Sequence, residues 1–85
     1  MILLRLLLLL VPCSLGSDEE MLSGLREAVA SAPLDPSTWR QFGLVVGDYF
    51  RDFETSASAL RRSLSLDPTD LGARHGLERA EEELR

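Results

Sequence analysis

The chain has few of the side chains that carry acid–base, nucleophilic or metal chemistry, and they do not form a cluster. His75 is its one histidine and Cys13 is its one cysteine. A general base needs a partner that positions it, and a metal site needs several ligands. His75 has only Glu78 and Arg79 one helical turn away. The pattern therefore predicts no catalytic residue, no metal site and no cofactor, and it indicates that the protein is not an enzyme.

The acidic residues and the glycines also lack an arrangement suited to catalysis. Asp18, Glu19 and Glu20 come at the predicted start of a helix, where acidic side chains interact favourably with the helix dipole. The glycines are scattered along predicted helices and do not form a phosphate-binding loop. These patterns predict no small-molecule substrate.

Composition indicates one small helical domain that does not bind nucleic acid. The chain has 85 residues, so it has room for a single domain at most. Leu, Ala, Glu and Arg are abundant and β-branched residues are sparse, which favours helix over strand. The 14 acidic residues outnumber the 9 basic ones, whereas binding a phosphate backbone needs clustered basic residues.

The first eleven residues form a short, leucine-rich apolar segment. A helix that spans a bilayer needs about twenty apolar residues. This segment is interrupted by Arg5 and ends at Pro12, so it is too short to be read as an ordinary membrane span. A short apolar stretch followed by small residues is typical of a secretory signal peptide.

The small residues Ser14 and Gly16 stand at the two positions that signal peptidase reads, which predicts cleavage after Gly16. Residues 1–16 are therefore the predicted signal peptide and residues 17–85 the predicted mature module. Cleavage would remove Cys13 and place the module in the endoplasmic reticulum lumen or outside the cell. The alternative is a short signal anchor that stays attached and makes the protein a small membrane-anchored adaptor.

Apolar residues at helical spacing, together with capping residues, predict about four helices after this segment. The first is expected to end at Pro33 and the third at Asp67-Pro68. Helical spacing places Leu71, Ala73, Leu77, Ala80 and Leu84 on one side of the fourth. The predicted N-caps of the four helices are Ser17, Asp35 or Ser37, Asp52 and Asp70.

The sequence also repeats itself. Residues 25–33 align with residues 60–68, and residues 34–37 align with residues 66–69. The dipeptide Gly43-Leu44 aligns with Gly76-Leu77. The offsets of these alignments are 35, 32 and 33 residues. The repeating unit is thus a pair of helices of about 34 residues, a period typical of tetratricopeptide repeats.

The residues themselves carry this family resemblance. Trp39, Phe42 and Gly43 resemble the tryptophan, leucine and glycine of the first helix of a tetratricopeptide repeat, and Leu64-Ser65-Leu66-Asp67-Pro68 resembles its closing segment. The resemblance implies an all-α fold of antiparallel helix pairs, a short α-solenoid of one and a half to two repeats. The repeat core expected from it comprises Leu25, Ala28, Trp39, Phe42, Gly43, Val46, Leu60, Leu64 and Pro68.

In this family the first helices of the pairs line a concave groove that binds extended peptides. The resemblance therefore implies a peptide groove lined by Arg40, Leu44 and Asp48, with Gly47 beside them. The chain has neither Lys nor Asn, which the chaperone-tail clamp of this family uses, so that activity is not expected. An apolar residue beside an arginine favours a mixed apolar and acidic peptide.

These features together predict a non-catalytic protein–protein interaction module, an adaptor or assembly factor of the secretory pathway with a protein or peptide partner. About three repeats are normally needed for a stable stack. Three alternatives follow: the chain forms a homodimer, it docks on a partner, or it is a truncated isoform or fragment of a longer repeat protein.

Overall fold

The computed structural model describes residues 18–85, and this part of the chain confirms the predicted all-helical fold. Its helices are α1 (residues 18–31), α2 (Pro36–Asp48), α3 (Phe53–Leu66) and α4 (Leu71–Glu83). No strand occurs within this range, and none of its helices is long and apolar enough to cross a membrane. The predicted signal peptide, Cys13 and the Ser17 cap lie outside the described residues.

Aspartates begin three of the helices, at positions that the sequence predicts. Asp35, Asp52 and Asp70 accept hydrogen bonds from backbone N–H groups in the first turns of α2, α3 and α4, at 3.0, 3.3 and 3.1 Å respectively. These bonds satisfy donors that have no partner inside the helix. Of the two candidates for α2, Asp35 is the cap, because Ser37 lies inside the helix and donates to it.

The turns after α1 and α3 repeat one backbone arrangement. The N–H of Ala32 donates to the carbonyl of Ala28 at 2.9 Å, and the N–H of Asp67 donates to that of Ser63 at 2.9 Å. The donor in the second turn comes 35 residues after the donor in the first, and the same is true of the two acceptors. This supports the predicted alignment of residues 25–33 with residues 60–68.

The second predicted alignment, of residues 34–37 with residues 66–69, is wrong. Pro36 is the first residue of α2, where its missing N–H costs no hydrogen bond. Pro68 lies in the turn before α4, two residues ahead of the cap Asp70. The two Asp-Pro pairs therefore occupy different places in the turn, although each aspartate binds the backbone two residues on.

Four-residue connections join consecutive helices, so each helix packs against its neighbours in sequence. Phe42, Val46 and Ala59 form a buried cluster between α2 and α3. The half-buried side chains of Leu22, Leu25, Val29 and Trp39 pack against this cluster and bring α1 onto it. Burial of these apolar groups is the main source of stability for helices of this length.

Leu60 of α3 lies where both α2 and α4 pack against that helix. It is fully buried. A Cβ atom placed on Gly43 would lie 2.7 Å from the Leu60 Cγ, and one placed on Gly76 would lie 3.0 Å from its Cδ1. The two glycines therefore let both α2 and α4 approach Leu60 closely.

Several predicted core positions are less buried than expected. Leu25, Trp39 and Leu64 are half-buried. Ala28 is exposed, because α1 turns the Leu22, Leu25 and Val29 side of the helix towards the cluster.

Pro68 is exposed as well, since it stands in a surface turn and acts by ending α3. In α4, Ala73 and Ala80 are buried as predicted, whereas Leu71 and Leu84 at its two ends are exposed.

Candidate peptide-binding face

The three residues predicted to line a peptide groove lie four residues apart along α2. Arg40, Leu44 and Asp48 occupy successive turns on one side of that helix. Each of them contacts a residue of α4 or of its N-cap. The face that they form, which we call the α2–α4 face, therefore follows the line where the two helices meet.

At one end of this face Arg40 binds the aspartate that begins α4. The Arg40 Nη1 donates to Asp70 Oδ2 at 2.9 Å, while Asp70 Oδ1 accepts from the N–H of Ala73 at 3.1 Å. The Ala73 N–H, helped by the Arg40 guanidinium, lowers the pKa of the Asp70 carboxyl, and burial opposes this shift. The Asp70 side chain is 10% exposed, and that of Arg40 is 42% exposed.

In the middle of the face Leu44 is half-buried against the backbone of α4. A Cβ on Gly76 would lie 2.5 Å from the Leu44 Cδ2, so the absence of a side chain there makes this contact possible. The outer part of Leu44 is the apolar portion of the face.

At the far end Asp48 faces Arg79 of α4, with 3.1 Å between Asp48 Oδ2 and Arg79 Nη2. Asp48 is 62% exposed, so the pair lies in water and holds the helices only weakly. Gly47, predicted to stand beside these residues, instead packs on α3: a Cβ there would lie 2.5 Å from the Ser56 Oγ. Its place in the groove is therefore a wrong prediction.

The α2–α4 face combines three different kinds of side chain. It presents a guanidinium, an aliphatic side chain and a carboxylate in that order, each partly exposed. Such a series can match an extended peptide that carries an acidic, an apolar and a basic side chain in the same order.

The charge of Asp70 makes the free energy of unfolding depend on pH. The variants Asp70→Asn and Asp70→Ala test this effect. Removing the N-cap with alanine is expected to cost about 1–2 kcal/mol at pH 7, whereas asparagine still caps and should cost less. Because the folded-state pKa lies below the unfolded value of about 3.9, the charge stabilises the fold above that pH. Its contribution is lost as the pH falls through the folded value.

Urea unfolding of the three proteins between pH 7 and pH 3 measures this effect. The difference in the free energy of unfolding between the wild type and Asp70→Asn should shrink over the acidic part of this range. A difference that stays constant down to pH 3 would contradict the role of the Asp70 charge.

The remaining candidates for chemistry stay apart in the described part of the chain. His75 is exposed on α4 and makes no hydrogen bond or ion pair within residues 18–85. In the same range no three His, Cys, Asp or Glu side chains come close enough together to hold a metal ion. A shallow depression lies elsewhere on α4 and is lined by Glu78, Glu81, Glu82 and Arg85.

Two residues that position α2 against its neighbouring helices could not be recognised from the sequence as contacts. Gly76 makes room for Leu44, but from the sequence alone it indicates only a lower helix propensity for α4. Ser56 is buried and donates to the carbonyl of Gly43 at 2.7 Å, although serine is usually an exposed residue. The only signal for Gly76 is its alignment with Gly43.

The chain was also compared with known proteins. No protein-family model, no curated protein and no solved structure matches it.

Proposed function

We propose that this chain is a non-catalytic protein–protein interaction module of the tetratricopeptide-like kind, an adaptor or assembly factor that binds an extended peptide along the α2–α4 face. The observation that carries the proposal is the alignment of Arg40, Leu44 and Asp48 beside α4. All three side chains are partly exposed, and their types differ.

The packing of the helices supports this proposal. Leu44 and Gly76 bring α2 and α4 close together, while α3 packs behind them. A binding surface made by two packed helices keeps its geometry without a ligand, which lowers the entropy lost on binding. The Arg79–Asp48 pair at one end is exposed enough to exchange partners with a bound peptide, and at the other end the Arg40 side chain is 42% exposed.

A peptide selection tests this function directly. Random dodecapeptides displayed on phage would be selected on the immobilised full chain, and the enriched peptides measured by fluorescence anisotropy. We expect enriched sequences to combine apolar and charged residues and to bind Asp48→Arg at least about tenfold more weakly, because the substitution reverses an exposed charge of the face. Asp48 contributes little to stability, so this variant should still fold.

Leu34→Arg is the matched control, since Leu34 is 73% exposed in the turn before α2, away from the α2–α4 face. It should bind the selected peptides as the wild type does. Selection of no peptide, or equal binding by both variants and the wild type, would contradict the proposed function.

We further propose that the module works in the secretory pathway. The support is the apolar segment with small residues at positions 14 and 16. The intact mass of a C-terminally tagged chain recovered from cells tests this: a start at Ser17 supports cleavage, and retention of residues 1–16 contradicts it.

A further inference from the structure

Three exposed side chains of α4 lie on the same side of that helix. Leu71, His75 and Arg79 are four residues apart, so they occupy successive turns. Leu71 is 66% exposed, His75 is exposed, and the Arg79 side chain is 55% exposed. We call these three residues the α4 row.

The α4 row runs beside the α2 residues of the α2–α4 face. At one end Arg79 pairs with Asp48, which precedes it by 31 residues, at 3.1 Å. In the middle His75 comes directly before Gly76, where a Cβ atom would lie 2.5 Å from the Leu44 Cδ2. His75 also follows Leu44 by 31 residues, so the register is the same at both places.

This register holds at the other end as well. Arg40 binds Asp70 at 2.9 Å, and a Cβ atom on Gly72 would lie 3.8 Å from the Arg40 Cδ. Leu71 lies between these two positions and follows Arg40 by 31 residues. The α2–α4 face is therefore two residues wide, with an arginine beside a leucine, a leucine beside a histidine, and an aspartate beside an arginine.

His75 is the residue of this face whose type changes charge near neutral pH. A histidine side chain is mostly neutral at pH 7.5 and mostly protonated at pH 5.5, whereas carboxylates and guanidinium groups stay charged over this range. The other charged residues around it are Arg40, Asp48 and Asp70 along the junction with α2, and Arg74, Glu78, Arg79 and Glu82 on α4 itself.

In the described part of the chain no carboxylate is paired with His75. Both aspartates of the junction are already paired with arginines. Glu78 and Glu82 lie on the same helix as His75, but neither forms an ion pair with it within residues 18–85. A protonated His75 therefore adds a positive charge to the face, and a carboxylate of a bound peptide can neutralise it.

We propose that His75 receives a carboxylate of the bound peptide and Leu71 an apolar side chain next to it, so that the module selects acidic–apolar peptides and binds them more tightly as the pH falls. This specificity rests on the proposed function and adds the chemistry of the partner and its regulation. The tighter binding arises because a protonated imidazole makes a charge-assisted hydrogen bond to a carboxylate, which is stronger than a neutral one.

Peptide selection at two pH values tests this specificity. Random dodecapeptides displayed on phage would be selected on the immobilised full chain at pH 5.5 and at pH 7.5. Peptides enriched at pH 5.5 should carry an acidic residue next to an apolar one. In fluorescence anisotropy they should bind the wild type at least about fivefold more tightly at pH 5.5 than at pH 7.5.

Two variants at exposed positions assign this behaviour to the α4 row. His75→Gln should lose the pH dependence, because glutamine is neutral at both pH values. Leu71→Ala should weaken binding at least about fivefold at both, because an apolar contact is lost. Leu34→Ala is its matched control, since Leu34 is 73% exposed in the turn before α2, away from the face, and it should bind as the wild type does.

The NMR signal of the histidine ring tests the contact without any variant. The chain has one histidine, so with a tag that contains none the Cε1–H proton of His75 gives a single signal. This signal should shift when a peptide enriched at pH 5.5 is added.

The possible outcomes separate this specificity from peptide binding itself. Equal affinity at the two pH values, a pH dependence that persists in His75→Gln, wild-type binding by Leu71→Ala, or an unchanged His75 signal would each overturn the proposal while peptide binding stands. Enrichment of no peptide at either pH would instead contradict the proposed function, and this specificity with it.

Discussion

The variant Leu60→Ala is expected to have no cooperatively folded state at 37 °C. Leu60 is fully buried where α2, α3 and α4 meet, and both Gly43 and Gly76 approach it closely. Truncating a buried leucine to alanine costs about 2–5 kcal/mol. A domain of this size rarely has more than about 3–5 kcal/mol of stability from its core, so the loss matches or exceeds the total.

Thermal unfolding followed by circular dichroism at 222 nm measures this effect, with Leu34→Ala as the control. Leu34 is exposed, and its truncation should change the stability by no more than about 0.5 kcal/mol. If Leu60→Ala melts cooperatively within a few degrees of the wild type, the packing around Leu60 described above is wrong.

Gly43→Ala and Gly24→Ala are expected to change stability in opposite directions. Alanine in a helix is normally about 1 kcal/mol more favourable than glycine. At Gly24 the new Cβ meets nothing within 4 Å, so the variant should gain up to that amount. At Gly43 it would lie 2.7 Å from the Leu60 Cγ and 3.2 Å from the carbonyl oxygen of Ser56.

Neither the buried leucine nor the backbone carbonyl can move aside easily, and overpacking of this kind costs about 1–3 kcal/mol. Gly43→Ala should therefore be the less stable variant in urea unfolding, although its intrinsic helix propensity is higher. A stabilised Gly43→Ala would show that α2 and α3 do not approach each other as closely as described.

The start points of α2, α3 and α4 were predictable because they depend on local chemistry. An aspartate that precedes an apolar helical pattern can satisfy the free N–H groups of the first turn whatever the rest of the fold does. Asp35, Asp52 and Asp70 follow this rule. The buried apolar positions Phe42, Val46 and Leu60 belong to the repeat core that the family resemblance implied.

The exposure of Ala28 could not be predicted, because it depends on which neighbours are present rather than on the residue. Its counterpart Ser63 is fully buried even though it is the more polar residue. A repeat pattern treats the two positions as equivalent, but α3 has α2 against this side and α1 does not within residues 18–85.

The contacts of the predicted groove residues could not be predicted for a related reason. The family resemblance implied that Arg40, Leu44 and Asp48 lie on one side of α2, and they do share one side of that helix. Their partners on α4 were not predictable, because a pairing such as Arg40 with Asp70 depends on how two helices cross. Whether a peptide binds there is a property of the pair of helices and not of either one.

The four-residue connections have a consequence for how quickly this protein folds. Each helix packs mainly on the next one along the chain, so the contacts that stabilise the fold close only short loops. Short loops lose little entropy on closure, and helical proteins with such local contacts fold in microseconds to milliseconds.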